Sequence, residues 1–481
     1  MTIWRWASIG LFALMLGFTR LSAQSQGDVY FQQKEYQKAM QSYIRSLKSQ
    51  SMDGDRYIRY TPEIMTKIGI SAFNLNMLDG AIKVFRYINK KTPSYGPAYF
   101  YCGLCYERQG KYKQAWQTYL NYKAIRDSDP ARDAMKGRLF FLTKQQYERD
   151  AKRMAARGPG APLSFSKQSI AVLDFHYRGS DAKGKVLSAG IASLVIDDLN
   201  RIGGFQVVPR EKTVLLLTAM GWQSGDLEYI ENIKKLQGML KVGTVIQGQL
   251  QLSGSGFMKI HQRTVTFNGA ADIRESDFEG ELQNFVVLQK RIVLNTVKNL
   301  GIQLTASQMD RMKIPATYDL NAFLNYSYAL YALDHHQYHV AQNYLMNAVK
   351  IDPGFALADE IMANPEIFMA TQTTDWMALQ TKMNALMKIE PTGKMEDIGY
   401  GAWVHIGPLD RLQEMGYYLD AGFIPGSDSR EAFEEISFSE LADYFFPDLT
   451  VGLPDPPDPP GKHYPVDPWF LPDPPPPPHR P

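Results

Sequence analysis

One recurrence constrains the fold more than any other feature of the chain. Gly69 and Gly103, Ala81 and Ala115, and Phe85 and Tyr119 are each separated by 34 residues. Within every unit a small residue is followed 12 positions later by alanine and 4 after that by a bulky side chain: Gly27/Ala39/Tyr43, Gly69/Ala81/Phe85, Gly103/Ala115/Tyr119 and, further on, Ala329/Ala341/Leu345. A fixed period of this kind belongs to stacked helix pairs, each of which buries its apolar face only against its neighbours. The small residue lets helix A approach helix B of the same unit, the alanine does so from the other side, and the bulky residue is expected to fill the space toward the next unit. Pro93 and Pro353 each fall 12 residues after their alanine, where a proline stops helix B. The first spacing, Gly27 to Gly69, is 42, which places an eight-residue insertion around Ser51 to Arg59.

Spacing and residue type together resemble the tetratricopeptide family over about residues 24–130, and Gly110 and Tyr112 also fit that family's turn between helices. The resemblance implies a peptide-binding groove on the inner face of helix A. Its lining carries over to Phe31 and Gln32, then Thr66, Ile70, Phe73 and Asn74, then Phe100, Leu104, Glu107 and Arg108. That lining is mixed and lacks the lysine and asparagine pattern that clamps a terminal carboxylate, so an apolar peptide or a neighbouring domain is the expected ligand. Repeats that act only as a spacer or a dimer surface fit the same residues. Residues 316–391 hold further tetratricopeptide-like helices: one unit over 316–353, ending VKIDP, and Asp375–Pro391 as the second helix of a degenerate neighbour. Because a single repeat needs a cover for its apolar face, this unit is expected to dock on an adjoining domain or a partner.

Between the repeats the period changes. Residues 131–164, which include Arg157-Gly-Pro-Gly-Ala-Pro162, read as a helix and a linker. IAVLDF (Ile170–Phe175) reads as a buried strand, Lys185–Ile202 as an amphipathic helix and FQVVPR (Phe205–Arg210) as a second strand. Glu211–Met220 and Asp226–Leu240 read as helices. Thr244–Leu252, Phe257–Phe267 and Ala270–Phe278 follow as strands joined by Gly-rich turns, and Glu281–Leu300 closes the unit as a helix. IAVLDF at the opening, VVPR before a leucine-rich helix and VGTVIQGQLQ after it resemble the CsgG/FlgO-type periplasmic domain and the related N-terminal domain of TolB, over about residues 165–305. That resemblance implies an α/β domain with a mixed sheet, placed in the periplasm or at the outer membrane. It includes a secretion-channel subunit and an activator of peptidoglycan synthases. The lipidated N-terminal cysteine common in that family is absent. The only long hairpin alternates Lys259, His261 and Arg263 with Met258, Ile260 and Gln262, which gives no continuous lipid-facing band. A nucleotide-binding α/β fold is disfavoured, because HYRGSDAKGKV (His176–Val186) matches neither phosphate-loop spacing.

Location is read from the ends of the chain. Arg5, the apolar run Ala7 to Phe18 and Leu21-Ser22-Ala23 have the three-part form of a cleaved signal over residues 1–23. A 12-residue apolar run is about 18 Å long as a helix, short of a hydrocarbon core of about 30 Å. A periplasmic location without a transmembrane span in the mature chain is therefore expected, with peripheral association with the outer membrane and homo-oligomerisation left open. Removing that segment with its two arginines takes 52 Lys+Arg to 50, against 50 Asp+Glu. Such a balance gives no electrostatic reason to hold nucleic acid. Residues 392–450 are unassigned, with helices expected at Leu409–Ala421 and Ser429–Phe445. The 451–481 tail is too rich in proline for helix or sheet, and is expected to be disordered or polyproline II.

Reactive chemistry is sparse. Two cysteines exclude a disulfide framework and a four-thiolate metal site. Cys102 and Cys105 form C-x-x-C inside a repeat helix, where core packing is favoured over a redox pair. His335, His336 and His339 sit at the turn of the fourth unit and read as solvated rather than metal-binding. Asp197/Asp198 and Glu434/Glu435 are adjacent in sequence and so point to different sides of a helix. The expectation is a multidomain, non-enzymatic envelope scaffold with no metal or cofactor, taking envelope proteins or peptides as partners and acting in outer-membrane assembly or secretion. Regulation of a peptidoglycan synthase is the alternative. A periplasmic enzyme, using the Cys102/Cys105 pair or a hydrolase site within 355–450, is the competing class.

Overall fold

The computed structural model describes residues 26–49, 57–59, 61–159, 165–179, 182–268, 270–389 and 403–405. The signal at 1–23, the tail at 451–481 and the helices expected at 409–421 and 429–445 lie outside these residues. The chain divides into two compact units, one of residues 1–135 with 375–481 and the other of 136–374.

The first unit is built from helix pairs: α1 (residues 26–32) with α2 (Tyr36–Ser49), α3 (Pro62–Asn74) with α4 (Leu78–Lys91), and α5 (Gly96–Arg108) with α6 (Tyr112–Tyr119). Pro62 and Pro97 stand in the first turns of α3 and α5, where the missing N–H is not needed. Each pair is closed by one turn geometry. Lys34, Asn76 and Gly110 take the left-handed conformation, with φ of 61°, 61° and 72°. The N–H of each bonds back three residues, to Phe31, Phe73 and Glu107, and the next N–H bonds back five, to Tyr30, Ala72 and Tyr106. This is the Schellman form of helix ending.

Inside each pair the aromatic lies on the glycine of its own hairpin. A Cβ at Gly27, Gly69 or Gly103 would sit 2.8, 2.6 or 2.2 Å from the ring of Tyr43, Phe85 or Tyr119. The sequence reading sends that bulky residue toward the next unit. The ring does both at Phe85, which also stacks on Tyr101 of the following pair at 5.8 Å. Tyr43 donates to Asp28 at 2.6 Å, and Asp28 also accepts from Lys67 of the second pair at 2.9 Å, so a buried ion pair ties the first two hairpins. α17 (Trp376–Leu386) belongs to this unit, where Asn384 Oδ1 accepts from the Tyr101 hydroxyl. The sequence reading groups that helix with the fourth repeat instead. Within the insertion, β1 (Tyr57–Arg59) pairs antiparallel with β8 (Trp403–His405), a strand in a stretch read as helical.

Division between the units falls inside α7 (Pro130–Arg157), a single helix of 28 residues covering most of the stretch read as helix and linker. Its second part is not a spacer, because buried cations on it hold the ends of two helices of the second unit. Lys136 donates to the carbonyls of Asp359 and Met362 at 2.7 and 3.0 Å, at the end of α15 (Ala356–Ile361). Arg138, fully buried, donates to Thr371 and Thr373 at 2.6 and 2.7 Å, at the end of α16 (Pro365–Thr371). Cations at helix C-termini meet unpaired carbonyls and the negative end of the dipole.

The second unit contains a mixed sheet in the order β4-β2-β5-β6-β7, with β3 added beside β5. β2 (Ser169–Val172) runs parallel to β4 (Gln206–Val207) and to β5 (Thr244–Leu252), and β3 (His176–Tyr177) runs parallel to β5. β6 (Phe257–Asn268) and β7 (Ala270–Glu281) extend the sheet antiparallel. Alternation along β2 sorts the core into two layers: Ile170 and Val172 pack with α8 (Ala182–Ile202) and α11 (Phe285–Asn299), and Ala171 and Leu173 with α9 (Arg210–Met220) and α10 (Ile230–Leu240). β4 is shorter than the expected FQVVPR strand because Pro209 offers no ladder N–H and Arg210 opens α9. Only Ile230–Leu240 of the expected 226–240 helix is α-helical; Ser224–Glu228 form a 3-10 turn before it.

After α12 (Ala306–Lys313), a fourth helix pair, α13 (Leu320–Asp334) with α14 (Tyr338–Ile351), lies on this sheet domain. Its turn copies the other three: His336 has φ 61°, its N–H bonds to Leu333, and Gln337 N–H bonds to Ala332. Ala329, Ala341 and Leu345 are all buried. The four hairpins are tetratricopeptide-like on this geometry.

Candidate functional site

The sequence reading expects a groove on the inner face of helix A, so the occupancy of that face in each hairpin comes first. Measured from the small residue, the groove offsets that give Thr66, Ile70, Phe73 and Asn74 in the second hairpin give Tyr326, Leu330, Leu333 and Asp334 in the fourth. Here the face is occupied. Gly190 of α8 comes so close that a Cβ on it would lie 2.0 Å from Ser327 Oγ and 2.9 Å from the Phe323 ring. Ser193 and Tyr326 share a hydroxyl hydrogen bond of 2.8 Å, and Phe323 stacks on Phe285 of α11 at 4.4 Å. Phe323, Tyr326 and Leu330 join Leu187, Val195 and Ile246 in one hydrophobic cluster. Burial also holds the Tyr326 hydroxyl above the usual phenol range.

A buried cation closes one end of this face. Arg210, 4% exposed, forks to both oxygens of Asp174 at 2.8 and 2.5 Å and to both of Asp334 at 3.2 and 2.6 Å. Burial works against its charge, yet the two carboxylates outweigh burial and raise its pKa further. The clamp joins three elements: the chain leaving β2, the first residue of α9 and the last of α13.

In the first three hairpins the residues expected to line a groove are mostly closed in. Thr66, Ile70, Phe73, Phe100, Leu104, Glu107 and Phe31 are buried, Asn74 and Arg108 are half-buried, and Gln32 is exposed. Several serve the hairpins themselves. Glu107 accepts from Tyr119 at 2.6 Å, Asn74 donates to the Ile70 carbonyl at 2.8 Å, and Arg108 donates to Phe73 O at 2.7 Å and Asn76 Oδ1 at 3.0 Å while lying over the Phe73 ring. The structure therefore gathers these residues along the hairpins, but with Gln32 alone fully open.

The thiols of Cys102 and Cys105 are free and buried in α5. Burial pushes Cys102 up to about 12, with Arg86 opposing, and burial likewise raises Cys105. Thiols held protonated in this way are poor nucleophiles. Of the histidines, His335 bonds the Tyr331 carbonyl at 2.7 Å, His336 meets Lys144 at 2.8 Å and His339 meets Asn343 at 3.3 Å. Among the described residues no cluster has the makings of a metal site.

The outer part of the sheet holds the hairpin whose first strand alternates Lys259, His261 and Arg263 with Met258, Ile260 and Gln262. Strand register aligns three rungs on one face: Gln247–Arg263–Glu275, Gln249–His261–Asp277 and Gln251–Lys259–Glu279. Arg263 pairs with Glu275 at 3.1 Å, His261 with Asp277 at 2.8 Å and Lys259 with Glu279 at 3.7 Å. A cavity of about 520 Å3 opens over Gln249, Gln251, Lys259, His261, Asp277 and Glu279. Beside it His176 and Ser224 are 2.8 Å apart, but Glu228 lies 4.0 Å from the imidazole and is held by Arg178 at 3.0 Å. That trio lacks the base–carboxylate hydrogen bond of a nucleophile–base–carboxylate set. The alternation of cations and acids on facing strands was present in the sequence; only the register shows that they meet.

No family model matches the chain. Over 220 residues, 44% of this chain, it is 24% identical to the putative adenylate cyclase 3 of Rhizobium meliloti (strain 1021), and it spans about a third (34%) of that protein's length. Among solved structures it is similar to yeast Tom70, with 12% identity, a TM-score of 0.22 and coverage of 89% of this chain and 85% of that one. The repeat character rests on the four matching turns and on the glycine–aromatic contacts of the first three hairpins. Among the described residues no helix is long and apolar enough to cross a membrane.

Proposed function

We propose that this chain is a non-enzymatic scaffold exported to the bacterial cell envelope, holding protein partners on its tetratricopeptide-like repeats and acting in outer-membrane assembly or secretion through a CsgG-like α/β domain. The observation that carries the scaffold reading is the inner face of α13, which takes a protein helix, α8, as its occupant. A repeat surface suited to a helix from its own chain is built for polypeptide rather than for a small substrate. Support for the α/β assignment is the order of elements and the IAVLDF, VVPR and VGTVIQGQLQ segments that resemble that family. The burial of both thiols favours the scaffold over a thiol redox enzyme.

The test is crosslinking in intact cells expressing the full chain, followed by cell fractionation and identification of what co-purifies. Recovery from the periplasmic or outer-membrane fraction with assembly or secretion proteins supports the proposal. Recovery of a peptidoglycan synthase selects the regulatory role instead, and a chain found in the cytoplasm overturns the envelope assignment.

A further inference from the structure

Among the described residues β7 is an edge strand with no strand paired on its outer side. It lies at the end of the sheet order, is 12 residues long, and is exposed or half-exposed along its whole length. Long open edges are templates for pairing with another strand, and proteins protect them with charge, proline or a covering element. This edge carries Asp272, Glu275, Asp277, Glu279 and Glu281 against one cation, Arg274, and no proline. Glu275, Asp277 and Glu279 lie on one face, and their side chains are 52%, 85% and 64% exposed although each faces a basic residue of β6.

Charge order across the sheet chooses the occupant. Passing outward, each rung reads glutamine on β5, a basic side chain on β6 and an acid on β7. A second copy of this chain, paired antiparallel on the same edge, would set the acidic column against itself, and like charges directly opposite destabilise a pair. A strand with lysine or arginine at alternate positions would instead continue the alternation with a fresh basic column. We infer that β7 is a docking edge for an extended basic segment of a partner protein, which adds to the sheet by backbone pairing with its cations over Glu275, Asp277 and Glu279.

Binding of a labelled nine-residue peptide, lysine alternating with valine or threonine, to the full-length protein tests this by fluorescence anisotropy. Three comparison peptides keep the experiment specific: one with glutamate for lysine, and two forms N-methylated on one or the other alternate set of amides, which keep the charge but in one register cannot pair. Saturable binding is expected for the lysine peptide, with at least a tenfold loss in one N-methylated form and in the glutamate peptide. The near-isosteric variant Glu275→Gln/Asp277→Asn/Glu279→Gln should lose about as much. Equal binding by both N-methylated forms would reduce the interaction to charge alone and overturn the inference, as would undiminished binding by the variant. Dimerisation of the full chain that the variant strengthens would confirm that the acids exclude a second copy, whereas dimerisation that it abolishes would contradict the choice of occupant.

Discussion

Replacing Arg210 with methionine removes a buried cation that two carboxylates have been built around. Asp174 and Asp334 have side chains 27% and 21% exposed, and each gives both oxygens to the guanidinium. Breaking a buried pair from one side costs about 3–5 kcal/mol, because the remaining charge stays desolvated. Water reaches both aspartates in part, so the lower end, about 3 kcal/mol, is the expected loss for Arg210→Met. Asp334→Asn alone should cost about 1 kcal/mol, since the fork to Asp174 survives. The triple variant Arg210→Met/Asp174→Asn/Asp334→Asn should recover about half or more of the single-mutant loss, because no unpaired charge is left. Urea unfolding followed by circular dichroism measures all three. A loss under 1 kcal/mol for Arg210→Met, or a triple variant no better than the single, would refute the reasoning that the clamp is a desolvated charge network.

Other consequences follow from the hairpins. Lys34→Gly relieves a left-handed φ and should stabilise by about 0.5–1 kcal/mol, while Asn76→Gly and His336→Gly should gain less, since asparagine and histidine tolerate that conformation better and the two side chains lose their bonds to Arg108 and Lys144; a fall in the urea midpoint for Lys34→Gly would contradict this. Gly103→Ala forces the Tyr119 ring off its seat and strains the bond to Glu107, for an expected loss of about 2–3 kcal/mol by the same assay. Cys102 and Cys105 should resist thiol reagents at pH 8 in the native protein and react on unfolding. Because burial raises both thiols, Cys102 to about 12, their contribution to stability is complete below the unfolded value near 9 and is lost as pH rises from there, so the urea midpoint should fall from pH 8 to 11 and fall less in Cys102→Ala/Cys105→Ala.

The hairpins were legible because a packing requirement repeats: each glycine exists for the aromatic 16 residues later in its own unit, and the repetition exposes both. The strands of the sheet were legible for the same reason, as alternation and turn residues are local. What the sequence hides is contact between residues that occur once. Arg210 meets Asp174 and Asp334 across 36 and 124 residues and leaves no periodic trace. The closing of the expected groove was equally hidden, since Phe100 or Leu104 carries the same residue type whether it faces a ligand or the body of the protein. Likewise, nothing in α7 marks where its side chains stop serving one unit and begin to hold the helix ends of another. The acidic edge was visible only in part: alternating charges were plain on Phe257–Glu281, but their pairing into rungs needs the register.

Hydrogen exchange, read by mass spectrometry on the intact chain, tests most directly whether α8 fills the inner face of the fourth hairpin. If α8 and α13 share one core, amides over 187–199 and 323–333 should open with the same free energy, and Gly190→Leu should speed exchange in both together. Fast exchange over 323–333 beside full protection of 187–199, unchanged by Gly190→Leu, would mean that the repeat is not docked on the sheet domain, and the scaffold reading built on that contact would fall.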